Sequence, residues 1–278
     1  MTDSLVAWWE KLRRRYDELV VERLAIDGHL GEIAEYALAG GKRVRPLLAE
    51  AIGEAVGAPS SSVTRIALAV EYLHAASLLL DDLPVMDRAR ERRGGEPAHA
   101  RFSVADAILT SIALVARSYR IVLGEAADDA LRGRTMARGL SDAIVEMAGG
   151  QSLELALGAG ATPAEIETIH QKKTAALFVL VARLVSTAGD ADVTAAMSLA
   201  QFASAFGGAY QICDDLQDRD VDGEQGGNLA CLLGPEPARA IAHARLRAAR
   251  EAIAPLGVIS VRLAQCVDWL SESLEAIH

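Results

Sequence analysis

The chain has 278 residues, a formal net charge of −10, 51% hydrophobic residues and only 4% aromatic ones. That length allows one large core or two small domains, and the acidic balance argues against nucleic acid, whose phosphates call for a basic surface. Alanine, leucine, valine and arginine dominate and strand-like alternation is scarce, so helices packed on helices are expected.

The first residues, "MTDSLVAWWEKLRRR", carry acids and two tryptophans and lack the apolar core of a signal peptide. Apolar spacing near 3.6 residues then recurs almost end to end. It predicts helices near 4–26, 29–39, 43–56, 61–82, 103–125, 129–158, 163–189, 192–220, 235–255 and 259–276. Breakers stand between them: "GG" at 40–41, "GAPSSS" at 57–62, "RRGGEP" at 92–97, "VDGEQGGN" at 221–228 and "GPEP" at 234–237. Thr162 before "PAEIE" is expected to cap a helix with Pro163 at its first position. No apolar run reaches the roughly 20 residues of a bilayer span, and "VADAILTSIALVA" and "ALFVLVARLVSTAG" read as buried helices. Cys213, Cys231 and Cys266 are an odd, scattered set, which suggests a reduced, cytoplasmic setting rather than a disulfide framework. With no linker and no shift of composition, residues 1–278 read as one all-α domain.

Two acidic clusters interrupt this pattern. The first, "DDLPVMD", holds Asp81, Asp82 and Asp87; the second, "QICDDLQD", holds Gln211, Asp214, Asp215 and Asp218. In the second, residues three and four apart share a helix face, so Asp214 and Asp218 stack, with Asp215 beside them and Gln211 one turn earlier. In the first, an unbroken helix would carry Asp87 away from Asp81, but Pro84 ends or kinks it and lets Asp87 swing back. Like charges on one face cost a few tenths of a kcal/mol per pair. Oxygen-only clusters without His or Cys suit a hard cation such as Mg²⁺, which also bridges to phosphates. A single such cluster could equally be a solvated helix end; two, each after an apolar turn, point to a cation.

Basic residues gather nearby in sequence. "GGKRVRP" at 40–46 sets Lys42, Arg43 and Arg45 at a helix start, a ready anion site. Arg92 and Arg93 follow the first acidic cluster, and the arginine fork suits phosphate oxygens. His74 lies two turns before Asp81 on the same face, and "KKTAAL" places Lys173 and Thr174 within a helix. Taken singly, Lys42 and Arg45 could be a solvated cap, His74 a satisfied core histidine and Arg92 a loop charge.

Together, "GGKRVRP", "HAASLLLDDLPVMD", "RRG", "GGQSLEL", "HQKKTAAL" and "GGAYQICDDLQD" resemble the trans-isoprenyl diphosphate synthase (polyprenyl synthetase) family over nearly the whole chain. Within it, "HAASLLLDD" most resembles bacterial geranylgeranyl diphosphate synthases. The resemblance implies the isoprenoid synthase fold, a single-domain barrel or bundle of about ten helices around a deep apolar cavity, usually in a homodimer. It implies three Mg²⁺, with Mn²⁺ as a substitute, held by Asp81, Asp82 and Asp87 and by Asp214, Asp215 and Asp218. Arg92, Lys173 and Gln211 would help them bind an allylic diphosphate. Lys42, Arg45, His74 and Arg93 match positions that hold isopentenyl diphosphate without metal. The family's chemistry ionises the allylic C–O bond; Lewis-acid and cationic groups stabilise the leaving diphosphate, Lys173, Thr174 and Gln211 line the cation, and an apolar cavity excludes water. Ala76 and Ser77, five and four residues before Asp81, lie about 6–7.5 Å down that helix. Both are small, which leaves room for a C20 product.

Three features depart from the family pattern. The run after Asp87 is the basic "RARE", the stretch "RDVDGEQGGNLACLLG" holds no lysine, and Thr110 to Ile112 read "TSI" where "AGD" is common. Arg88, Arg90 or Arg219 is expected to replace the missing lysines. A terpene synthase of the same fold, or a weakly active partner subunit of a heteromeric synthase, are the competing readings. The intact set Lys42, Arg45, His74 and Arg93 speaks against the first, and both aspartate clusters against the second.

Overall fold

Apolar positions that repeat every three to four residues, with glycine and proline between the repeats, leave helix as the regular structure this chain can form. The computed structural model describes residues 5–125, 128–157, 160–222 and 227–277, and the fold is all-α. Its residues fall into two compact units, Met1–Glu50 with Ser60–Ala137, and Ala51–Pro59 with Arg138–His278. Of the three points at which the chain passes between units, those after Glu50 and Ala137 lie inside helices, where no linker composition can mark them, and the one after Pro59 falls at a helix start.

The first unit holds α1 (Leu5–Glu22), α2 (Gly28–Leu38), the start of α3 (Val44–Val56), α4 (Ser60–Asp81), the short α5 (Ala98–Arg101) and α6 (Val104–Glu125). Its centre is α4, whose Val63, Ile66, Val70, Tyr72, Leu73 and Leu79 are buried. Small residues bring α6 against it. Ser111 and Ser118, seven apart on α6, donate to the carbonyls of Ala76 and Ala69, seven apart on α4, at 2.9 and 2.8 Å. Tyr72 Oη donates to the Val20 carbonyl (3.0 Å), and Arg117 donates to the carbonyls of Arg23 and Leu24 (2.8 and 2.7 Å), satisfying the C-terminal end of α1.

The second unit holds α7 (Ala130–Leu157, apart from its first turns), α8 (Pro163–His170), α9 (Ala176–Ala188), α10 (Val193–Asp222), α11 (Leu229–Leu233), α12 (Pro235–Ile253) and α13 (Val261–Glu275). Phe178, Phe202, Phe206 and Tyr210 form its aromatic core, with ring centroids 5.7 to 5.9 Å apart. At α8 the expected cap is present: Thr162 accepts from the Glu165 N–H, Glu165 answers with its carboxylate, and Pro163 opens the helix.

Three differences from the expected elements bear on function. The helix expected over 163–189 is broken by a π-helical turn at Gln171–Ala175. The short α5 and α11 carry too few residues for a periodic signal. Third, α4 and α6 are long and apolar enough to cross a membrane by length and composition, although no uninterrupted apolar run is. For α4 that apolarity belongs to the core, 67% of its most apolar 18 residues being buried. The expectation of a buried α6 fails: Val104, Ile108, Leu109, Ile112 and Leu123 stand exposed along one side.

Candidate active site

In the first unit, α4 ends at Asp81 and the chain folds straight back. The Asp87 N–H donates to the Asp81 carbonyl (2.9 Å) and the Arg88 N–H to that of Leu83 (3.2 Å), so the turn past Pro84 returns Asp87 to the helix end. Residues 92–95 then make a tight turn, in which Arg92 and Gly95 exchange backbone hydrogen bonds at 2.8 and 3.1 Å. Its central residues, Arg93 and Gly94, have φ of 54° and 78°, the left-handed geometry of a primed hairpin turn. The turn aims two arginines at different targets. Arg92 Nε donates to both oxygens of the buried Asp82, at 3.0 and 3.1 Å. Arg93 donates to the carbonyls of Ala37 and Ala39 at the end of α2, at 3.3 and 2.5 Å.

Burial works to lower the Arg92 pKa, yet Asp82, with the charges of Asp81 and Asp87, holds it above the ordinary value. All three acids therefore act on one cationic position. Among the described residues no three His, Cys, Asp or Glu side chains are gathered into a ready metal cage. An all-oxygen set already occupied by a guanidinium still fits Mg²⁺, which takes one or two carboxylates and completes its shell with water and phosphate oxygens. Asp81, Asp82 and Asp87 are the residues that would hold it.

The basic constellation lies in the same unit. Lys42 is exposed just before α3, its carbonyl accepting from Trp9 Nε1 (3.3 Å), and Arg45 is half-buried in the first turn of α3. Arg43, between them, has another task. It is 4% exposed, at φ 53°, and donates to Asp17 (2.8 Å), Glu71 (2.8 Å) and the Leu38 carbonyl (2.6 Å). Burial pushes the His74 pKa well below its usual value, and the charges of Arg45, Arg93, Arg92 and Arg43 push it further. Burial, then Arg43, likewise lowers the Arg93 pKa. Cations held close enough to depress one another favour an anion among them. A cavity of about 270 Å³ opens here, lined by Tyr36, Gly40, Leu78, Asp82, Arg92 and Arg93 among others.

In the second unit the π turn carries Lys173 and Thr174, and glycines make room for it. A Cβ on Gly150 would meet the Lys172 Cβ at 2.8 Å and the Lys173 nitrogen at 3.0 Å; one on Gly207 would meet the Phe178 ring at 2.8 Å and the Ala175 Cα at 3.2 Å. Gly150 and Gly207, one from each "GG" pair, thus let α7 and α10 press on a turn wider than an α-helix, the kind of local bulge that recurs at functional sites. Lys173 pairs with Glu154 on α7. Thr174 donates to Gln211 Oε1 (2.6 Å), and Gln211 Nε2 donates to Asp215 Oδ1 (2.9 Å).

The second acidic cluster divides. Asp214 is half-buried and Asp218 exposed on α10, but Asp215 is 4% exposed. Its Oδ2 accepts from the Leu229 N–H (2.8 Å), and its carbonyl accepts from Asn228 Nδ2 (2.9 Å). Burial raises its pKa, and His170, Gln211 and the Leu229 N–H pull it back. Asp215, expected to share a metal with its neighbours, spends both oxygens inside the protein. Of the lysine-free stretch 219–234, residues 223–226 lie outside the described residues.

A family model described as polyprenyl synthetase matches residues 27–231. The chain belongs to that family. A probable farnesyl diphosphate synthase of Sinorhizobium fredii is 32% identical over 96% of this chain and 87% of its own length. A geranylgeranyl diphosphate synthase of Pantoea ananas is also 32% identical, over 81% of this chain and 79% of that protein. The apo crystal structure of an FPP/GFPP synthase from Zymomonas mobilis superposes with a TM-score of 0.84 at 30% identity, covering 96% of this chain and 98% of that one. The likeness to geranylgeranyl diphosphate synthases therefore does not stand apart from the likeness to farnesyl diphosphate synthases.

In this polyprenyl synthetase the two small residues before the first aspartates have different surroundings. Ala76 is 1% exposed, with its carbonyl accepting from Ser111 of α6. Ser77 is half-buried, and its 74–77–81 spacing puts it on the face of His74 and Asp81. Thr110, one residue before Ser111, is fully buried, and among the described residues its hydroxyl meets no hydrogen-bond partner.

Proposed function

We propose that this polyprenyl synthetase condenses isopentenyl diphosphate with an allylic diphosphate (dimethylallyl, geranyl or farnesyl), head to tail, to a trans-prenyl diphosphate of C20. The observation that carries the reading is the first unit's paired arrangement: Asp81, Asp82 and Asp87 bearing on one cationic position, beside four arginines and a neutral His74. Lys42, Arg45 and Arg93 hold the isopentenyl diphosphate by charge, and neutral His74 adds a hydrogen bond. Arg92, released from Asp82, takes an oxygen of the allylic diphosphate, and Lys173, turned from Glu154, takes another. Mg²⁺ (three ions, with Mn²⁺ as a substitute), held by Asp81, Asp82, Asp87, Asp214 and Asp218, supplies the charge that makes the diphosphate a leaving group. Thr174 and Gln211 present dipoles to the allylic cation. A homodimer formed through the bare face of α6 completes the reading.

Purified protein incubated with Mg²⁺, isopentenyl diphosphate and each allylic primer is expected to give a longer prenyl alcohol after phosphatase treatment. Hydrocarbon products would favour the terpene synthase reading. The absence of lysine from residues 219–234 favours a weakly active partner subunit, and no product from any primer would support that role.

A further inference from the structure

In the second unit one chain of hydrogen bonds runs from a backbone donor to a half-buried hydroxyl. The Leu229 N–H donates to Asp215 Oδ2 (2.8 Å), Gln211 Nε2 to Asp215 Oδ1 (2.9 Å), and Thr174 Oγ1 to Gln211 Oε1 (2.6 Å). Each link constrains the next. A backbone N–H can only donate, and an ionised carboxylate can only accept. With its nitrogen turned to Asp215, Gln211 shows Thr174 a carbonyl, which takes the single hydroxyl proton. Thr174 then offers lone pairs alone to whatever approaches it. Asp215 is itself pinned. Its backbone carbonyl accepts from Asn228 Nδ2 (2.9 Å), and His170 Nε2, which lies 3.0 Å from the Gly227 carbonyl, stands 3.5 Å from Oδ2. Asp215, His170 and Asn228 are all buried.

We infer that Asp215 is a positioning residue and not a metal ligand. It sets the polarity of the Gln211 amide and thereby aims the negative end of the Thr174 hydroxyl dipole at the allylic cation. The inference rests on the prenyl-transfer reading above and adds to it the device that makes Thr174 an acceptor.

The Asp215→Asn variant tests it. Its amide oxygen still accepts from the Leu229 N–H, while its amide nitrogen faces Gln211. Gln211 must then turn over, and Thr174 turns its own proton outward. Titration calorimetry in Mg²⁺ would compare two inert prenyl diphosphate analogues, one with an ammonium at the cationic carbon and one an uncharged isostere. Asp215→Asn should bind the ammonium analogue about tenfold more weakly and the neutral one less than about twofold, with the half-saturating Mg²⁺ concentration unchanged. On a Thr174→Val background Asp215→Asn should lose nothing further, because it acts through Thr174. Gln211→Met, which cuts the chain without altering the buried carboxylate, should show the same selective loss. Equal weakening of both analogues, additive losses on the Thr174→Val background, or a raised Mg²⁺ requirement would overturn the inference alone. Wild-type protein that binds neither analogue sinks the prenyl-transfer reading, and this inference with it.

Discussion

Arg43 and Arg92 show how the same side chain acquires different work within one unit. Arg43 is sealed against Asp17, Glu71 and the end of α2, so its charge is structural. Arg43→Met should destabilise the protein by about 3–5 kcal/mol in denaturant unfolding, because it strands a buried Glu71 carboxylate. His74 supplies a pH test. Its pKa lies well below the ordinary value in the folded chain, so the unfolded chain binds the extra proton first as pH falls through about 6.5. Stability contributed by neutral His74 is complete above that pH and declines below it, until the folded pKa is reached. The melting temperature of the wild type should therefore fall more steeply between pH 7 and 5.5 than that of His74→Gln; parallel curves would refute the assignment. At the chain-length positions, Ser77→Phe should shorten the product by at least one five-carbon unit. Ala76→Phe, pressed against α6, should instead cost about 1–3 kcal/mol of stability. Sequence placed these residues together, and the resemblance picked out Arg45 over Arg43, but nothing in it showed what Arg43 does or set Asp215 apart from Asp214. Neighbours in sequence carry the same chemistry, and only the burial of each side chain tells them apart.

The elements were the most legible part of the chain, because long helices repeat their apolar positions many times. Predicted and observed ends of α2, α3, α4 and α7 agree within one residue. The π turn was not legible: it differs from an α-helix by one residue of winding, which leaves the apolar pattern of 163–188 intact. Its cause lies in other elements, in the glycines of α7 and α10 that clear space around it. Gly150→Ala should therefore act beyond its own helix, since the new methyl meets the Lys173 backbone. We expect a loss of about 1–3 kcal/mol in stability and a raised allylic-substrate KM. An unchanged KM in a destabilised protein would mean that the π turn is dispensable for binding. The α4–α6 contact follows from a simpler rule, small residues and serines at a seven-residue repeat, and that signal is present in "AVEYLHAAS" and "LTSIALVARS".

At the scale of the molecule, the bare side of α6 decides the testable question. Leu109 is 52% and Ile112 61% exposed, a large apolar display for a helix in water. On the proposed homodimer, the wild type is expected to sediment as a dimer in analytical ultracentrifugation and Leu109→Glu combined with Ile112→Glu as a monomer; a double variant that still sediments as a dimer would move the interface elsewhere, and a monomeric wild type would refute the dimer. The sequence by itself determined the helical class, the family and the set of charged motifs, because these depend on local periodicity and on residue types at fixed spacing. Tertiary structure alone decided which acid is buried, which arginine is sealed and which helix face stays bare. Those outcomes depend on what each side chain meets from distant parts of the chain, and hydrophobic spacing along one helix carries no record of the neighbour that covers it.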